Sequence, residues 1–236
     1  NAQLRRIPGQ VMPPPETARA GQKRQAYFEQ LLAERRRRPQ DDLMSALIAA
    51  ELQDEEGRVR RLSQEELLGF CTLLSSAGNE TLTKFFGNAI YHLARYPEQR
   101  AELARDSSLI PGAVEEILRL DPPSQYQGRI STRDVELRGR TIPARSRVIL
   151  VTGAACRDER EFPDPDRLDV TRLPERKIYF GHGQHFCIGK SLARIEARIA
   201  LEEIGLRFPD YEVEEAGLTR TYQAHVRGFN NVPVRV

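Results

Sequence analysis

Ten residues, Phe180-Gly181-His182-Gly183-Gln184-His185-Phe186-Cys187-Ile188-Gly189, run directly into an amphipathic helical pattern. A cysteine at a helix start has its thiolate form favoured by free backbone N–H groups and by the positive end of the helix dipole, and such a thiolate can hold iron. Gly181, Gly183 and Gly189 remove side chains where a flat macrocycle would lie against the backbone, and they permit the positive φ that a loop turning beneath a metal requires. His185, two residues before Cys187, is free to meet a peripheral carboxylate of such a group. Two other chemistries compete for these residues. A glycine-rich turn into a helix also cradles phosphate, a role that leaves the cysteine without purpose. His182, His185 and Cys187 could instead be three ligands of a zinc site, with the fourth from Cys156 or Cys71.

A second set of residues interrupts a long helical pattern. Ser63 and Glu66 form a capping box. Apolar periodicity then runs through Leu67, Phe70, Cys71, Leu74, Ala77, Phe85, Ala89 and Leu93 until Tyr96-Pro97, so a long central helix is expected over about 64–96. At its middle stands Ala77-Gly78-Asn79-Glu80-Thr81. Glycine costs about 1 kcal/mol relative to alanine in a helix, and an acid and a hydroxyl in an apolar stretch need compensation. A packing glycine and a threonine bonded to its own helix are the plain explanation; proton delivery into a site that excludes water is the chemical one. Further on, Glu116 and Arg119 share a helix face just before Asp121-Pro122-Pro123 and can pair through two hydrogen bonds.

With Phe180, Gly183, Cys187 and Gly189 at the fixed positions, the 180–189 segment resembles the haem-binding loop of the cytochrome P-450 family, whose pattern is Phe, two residues, Gly, three residues, Cys, one residue, Gly. Ala77-Gly78-Asn79-Glu80-Thr81 is similar to the Ala-Gly-x-Asp/Glu-Thr segment of that family's central helix, over the oxygen-binding face of haem. The resemblance implies haem b held by the Cys187 thiolate, the sole protein ligand to iron, with Ala77, Gly78, Phe180, Gly181 and Gly189 lining the cofactor. It implies that Thr81 anchors dioxygen, the co-substrate, and that Glu80 brings protons from solvent. The thiolate would push electron density toward iron and favour O–O cleavage. Gly128-Arg129-Ile130 followed by Asp134 is similar to the segment whose arginine binds a haem propionate, which makes Arg129 and His185 a propionate pair. Glu116 and Arg119 match the Glu-x-x-Arg hallmark, and Arg167, in Phe162-Pro163-Asp164-Pro165-Asp166-Arg167, matches the arginine that completes its network. Ser124, Gln125, Tyr126, His225 and Val226 would reach into the substrate pocket.

These residues need elements to position them. Residues 1–22, with Pro8-Gly9 and Pro13-Pro14-Pro15, read as a linker. Helices are expected from about Gln22 to Arg37 and from Asp41 to Leu52, the second ending in an acidic turn at Gly57. From Arg129 to Val151 short strands are expected, with Val148–Val151 as a buried run. After Cys187, Lys190, Arg194 and Arg198 form a basic stripe, with Leu192, Ile195 and Ile199 on a different, apolar face. The fold class is mainly α with a minor antiparallel β part. Residues 1–236 read as the C-terminal portion of a single cytochrome P-450 domain that lacks its N-terminal region, because the acid-threonine helix comes early in this chain.

Composition bounds the partners. A near-neutral formal charge of +2 favours neither nucleic acid nor a membrane surface. Three cysteines without a CxxC pair suit a reducing, cytoplasmic setting. By the resemblance the chain is a monomeric haem-thiolate monooxygenase, inserting one oxygen atom into a small apolar or amphipathic molecule. A ferredoxin or flavodoxin-type redox partner and its reductase would supply electrons in trans, and the basic stripe would meet an acidic ferredoxin. The alternative is a truncated, non-catalytic haem-binding remnant of the same family.

Overall fold

The structure, a computed structural model, describes residues 15–54, 56–223 and 225–236. The expected linker motifs Pro8-Gly9 and Pro13-Pro14 lie outside these residues. The chain divides into two compact units, the first ending at Ala77 and the second beginning at Gly78.

In the first unit, α1 (Pro15–Arg37) starts seven residues before the expected position, so Pro15–Gly21 is helix rather than linker. Pro15 suits a first helical turn, where its missing N–H is not needed. The Asp42 side chain caps α2 (Leu43–Ala49), accepting the Ser45 N–H at 2.8 Å, and is gripped by Arg35. Helix α2 is shorter than expected. Ala50 turns to ψ 131, and β1 (Glu51–Gln53) pairs antiparallel with β2 (Val59–Arg61). The turn between them is closed by Gly57 N–H donating to the Asp54 carbonyl, with Gly57 at φ +79. Helix α3 (Gln64–Arg95) then opens on the expected capping box. Glu66 N–H reaches Ser63 Oγ at 3.2 Å, and Ser63 N–H reaches the Glu66 carboxylate at 2.8 Å. Leu32, Leu67 and Cys71 form a small core with Phe28, Met44, Leu47 and Leu62 packed on it.

The second unit holds the rest of α3, then α4 (Pro97–Arg105), α5 (Ile110–Leu120), α6 (Thr152–Ala155) and α7 (Lys190–Arg207). Its strands are β3 (Gln127–Ile130), β4 (Val135–Leu137), β5 (Arg140–Ile142), β6 (Arg147–Leu150), β7 (Glu212–Val213), β8 (Thr219–Arg220), β9 (Phe229–Asn231) and β10 (Val234–Arg235). They form two-stranded antiparallel ladders, β3 with β6, β4 with β5, β7 with β10 and β8 with β9. Leu137 pairs with Arg140, and the two linking residues, Arg138 and Gly139, both have positive φ, as a tight hairpin turn demands. Helix α5 is the axis of the unit, buried along most of its length, and Phe85, Ala89, Leu168, Ala197 and Leu201 share its core cluster. Mainly helical architecture with minor antiparallel sheets is therefore the observed class.

One expectation fails here. Val148–Val151 is not a buried run: Ile149, Leu150 and Val151 are exposed, on a ribbon in which β6 pairs with β3 alone among the described residues. In α7 the buried residues are Ala197 and Leu201, with Ala193 and Ile204 half-buried on the same side, whereas Leu192, Ile195 and Ile199 face outward.

Candidate functional site

Residues 180–189 fold into a closed loop. The Cys187 N–H donates to the Phe180 carbonyl at 2.9 Å, joining the ends of the segment, and the Phe186 N–H donates to Gly183 at 3.0 Å within it. Gly181 has φ +79 and Gly183 φ +67, a region costly for residues with a Cβ. A Cβ on Gly181 would also stand 3.2 Å from the His185 carbonyl oxygen. Gly183 and Gly189 face open space. Cys187 is exposed, while Cys71 and Cys156 are buried. Burial pushes the Cys156 thiol up to about 11, with Arg119 and Arg157 opposing, so it stays a neutral packed group.

His182 and His185 are exposed on the same loop as Cys187. Among the described residues, no group of three or more His, Cys, Asp or Glu is placed to hold a metal ion. Gly189-Lys190-Ser191 has the ending of a phosphate-binding loop. Five residues separate Gly183 from Gly189, however, where the phosphate motif has four, and the Lys190 ammonium sits 3.7 Å over the Phe186 ring.

Helix α5 carries a buried ion network. Arg119 grips Glu116 at 2.7 and 2.9 Å, both side chains fully buried. The remaining Arg119 donors reach the carbonyls of Cys156 at 2.9 Å and Pro165 at 2.8 Å. The sequence pointed to Arg167 as the third member. Arg167 is exposed and lends the network its main-chain carbonyl, 3.4 Å from Arg119. The guanidinium that reaches Glu116 is that of Arg172, at 3.2 Å, which also bonds the Pro163 carbonyl. Five residues of turn after Arg167 bring Arg172 back over α5, a return that sequence spacing does not disclose.

Neighbouring Glu115 holds the second cluster, which sequence reasoning missed. Arg194 binds it at 2.5 and 3.0 Å, Tyr179 donates its hydroxyl at 2.5 Å, and Lys177 lies 3.1 Å away. Burial pushes the Glu115 carboxyl up, but these three donors outweigh it and hold it below the ordinary value. Arg194 also stacks over the Phe180 ring at 4.7 Å. It therefore ties α7 and the start of the loop to α5, and is a structural cation rather than a member of a free basic stripe.

On α3, Gly78 has open space where a Cβ would be. Glu80 and Thr81 are half-buried, and the Glu80 carboxylate accepts a hydrogen bond from Gln223 Nε2. Ala77 is the exposed last residue of the first unit. Ser124 and Val226 form an antiparallel bridge, and the Gln125 N–H donates to the His225 carbonyl at 2.9 Å, so the residues expected at the substrate pocket adjoin one another. Tyr126 is half-buried beside them. Arg129, on β3, is half-buried with Nη1 on the Gly128 carbonyl at 2.9 Å.

The donor set fits a flat thiolate-held cofactor: the accessible sulfur is the one in the loop, and the glycines around it leave the backbone bare. No helix among the described residues is long and apolar enough to cross a membrane.

Comparison with known proteins agrees. The family described as cytochrome P450 matches residues 15–109 and 107–213. Cytochrome P450 130 of Mycobacterium tuberculosis is 42% identical over 212 residues, 89% of this chain and 52% of that protein. Vitamin D(3) 25-hydroxylase of Pseudonocardia autotrophica is 43% identical over 211 residues, 88% of this chain and 51% of that protein. Among solved structures, CYP109E1 from Bacillus megaterium in complex with testosterone superposes with a TM-score of 0.86 at 37% identity, covering 93% of this chain and 60% of that one. The chain thus spans between half and three fifths of the length of these relatives. With both the closed cysteine loop and the buried Glu116–Arg119 pair in place, the chain belongs to the cytochrome P450 family.

Proposed function

We propose that this chain is the haem-binding portion of a monooxygenase that places one atom of dioxygen into a small apolar or amphipathic molecule. The observation that carries this reading is Cys187: an exposed thiol in a closed glycine loop, in a chain whose other two cysteines are buried. Haem b, held by the Cys187 thiolate, would supply dioxygen binding and O–O cleavage. Phe180, Gly181 and Gly189 would pack on its thiolate face, and Arg129 and His185 would bind its propionates. Ala77 and Gly78 would leave room on the other face. There Thr81 would hold a proton at its hydroxyl and Glu80 would renew it from solvent. Glu116, Arg119 and Arg172 would fix the loop's supporting segment without touching substrate. Ser124, Gln125, Tyr126, His225 and Val226 would wall the substrate pocket. Relatives named for vitamin D(3) hydroxylation and found with testosterone favour a lipid-like substrate. Electrons would come in trans from a ferredoxin or flavodoxin-type protein, with Lys190 and Arg198 as the available cations of α7.

The test is the carbon monoxide difference spectrum of the protein carrying this chain together with the upstream region its relatives possess. The reduced complex should show the red-shifted Soret band of a thiolate ligand. Cys187→Ser should abolish that band, whereas Cys71→Ser and Cys156→Ser should retain it. A band that survives in Cys187→Ser overturns the assignment.

A further inference from the structure

The polar cluster at the C-terminal end of α5 has no part in the network around Glu116. Asp121 caps that helix and is 1% exposed. His92, on α3, places Nε2 at 3.2 Å from Asp121 Oδ2. Arg227 places Nε at 3.1 Å from Oδ1, and the Arg220 guanidinium approaches Oδ2 at 3.9 Å while stacking on the Phe229 ring at 3.9 Å. Fully buried Asn88 donates to the Asp121 carbonyl at 3.0 Å and to the Arg227 carbonyl at 3.5 Å. A carboxylate this deeply buried is tolerated only when paired. The partners here come from three separate parts of the second unit: α3, β8 and the segment just before β9.

What these partners hold in place is specific. The Arg227 N–H donates to the Pro123 carbonyl at 2.8 Å, the Gln125 N–H to the His225 carbonyl at 2.9 Å, and Ser124 bridges Val226. Residues 225–227 are thus laid along 123–125 as a short antiparallel pair outside any longer sheet. Two main-chain bonds without a sheet behind them hold such a pair weakly. The cation of Arg227 and the carboxylate of Asp121 flank the pair and join its two sides.

We propose that Asp121 is the positioning residue of the substrate-side wall: through Arg227, Arg220 and His92 its buried carboxylate fixes residues 225–227 against 123–125 and so sets the shape of the pocket. This rests on the reading that Ser124, Gln125, Tyr126, His225 and Val226 face substrate. Asp121 itself touches neither substrate nor cofactor. It acts through the two segments that it joins.

The experiment uses the haem-loaded protein with its upstream region, and the variants Asp121→Asn, Arg227→Gln and Arg227→Lys. Arg227 is half-exposed, so its variants keep the fold even if Asp121→Asn does not. Losing the Arg227–Asp121 ion pair should speed hydrogen exchange at the Gln125 amide and at the amide of residue 227 roughly tenfold, with the Cys187 amide unchanged and Arg227→Lys close to wild type. Spectral titration then reads the pocket. The dissociation constant of 4-phenylimidazole, which fills space beside the iron, should rise about tenfold in Arg227→Gln, while that of imidazole, which reaches only the iron, should stay unchanged. Unaltered exchange at Gln125 and Arg227 overturns the clamp. Faster exchange with both dissociation constants unchanged overturns the positioning role and with it the placement of these segments at the pocket, leaving the haem-thiolate assignment untouched.

Discussion

Arg194 clasps Glu115 through two hydrogen bonds, of 2.5 and 3.0 Å, and so fastens the first turns of α7 to the middle of α5. Replacing Arg194 by glutamate would set two carboxylates together at the edge of the core. Arg194→Glu should therefore cost about 3 kcal/mol of stability, and Arg194→Gln less, both read as lower urea midpoints. Arg198, 47% exposed and paired with Glu202 one turn on, is the better probe of partner docking. Arg198→Glu should leave stability within about 0.5 kcal/mol and slow reduction by an acidic ferredoxin at low salt, an effect that added salt removes. Stopped-flow rates equal to wild type at low salt would exclude that docking face.

The Glu116 network separates two arginines that look equivalent in sequence. Arg172→Ala removes a cation from a fully buried carboxylate and should destabilise by roughly 2 kcal/mol, whereas Arg167→Ala, which spares the carbonyl that Arg119 uses, should change stability by less than about 0.5 kcal/mol. Thermal unfolding of the two variants side by side checks this. Equal losses would return Arg167 to the network.

Much of the site was legible because its residues depend on local chemistry. The loop 180–189 is defined by a cysteine at fixed distances from glycines, the capping box of α3 by Ser63 and Glu66, and the Glu116–Arg119 pair by a three-residue helical step. Each needs only neighbours in sequence. What was not legible depends on returns of the chain. Arg172 replaces Arg167 because of the turn that follows Asp169, and Arg194 meets Glu115 across an interval no spacing rule covers. That the apolar face Leu192, Ile195 and Ile199 is exposed, while Ala197 and Leu201 turn inward, is set by what α7 packs on and not by its own periodicity. In the first unit, β1 was absorbed into a helix because Glu51-Leu52-Gln53 has no intrinsic objection to helix; its pairing with β2 decides the matter.

Gly181 should tolerate no side chain. Gly181→Ala combines φ +79 with a Cβ 3.2 Å from the His185 carbonyl and should cost about 1 to 3 kcal/mol locally. Haem content per protein should fall while the far-ultraviolet dichroism remains. Full haem occupancy in this variant would show that the loop can take another conformation.

Thr81→Ala should leave haem content and substrate binding unaltered yet divert reducing equivalents to hydrogen peroxide, measured as a fall of about tenfold or more in product formed per electron pair consumed. Unchanged coupling would remove Thr81 from proton delivery.

The pH profile of stability follows from the buried groups. Burial raises the Cys156 thiol to about 11, and burial together with the Glu115 carboxylate raises the Tyr179 hydroxyl. A group whose folded value is raised contributes stability that is whole below its unfolded value and lost as pH climbs through the folded one. Unfolding midpoints should therefore decline from about pH 9 upward, and Cys156→Ala should flatten the first part of that decline. Glu115 is held low, so its contribution is complete above the ordinary carboxylate range and lost as pH falls below about 4. Glu115→Gln should blunt the acid side and, by removing the carboxylate that helps raise Tyr179, lessen the alkaline decline as well.

Helix α7 turns Leu192, Ile195, Ile199 and Leu206 into water along one line, with Ile188 just ahead of it. Such a row is a colloidal liability for the 236 residues on their own. The isolated chain should bind anilinonaphthalene sulfonate brightly, run at a concentration-dependent size, and gain yield when these aliphatics are traded for lysine or glutamate.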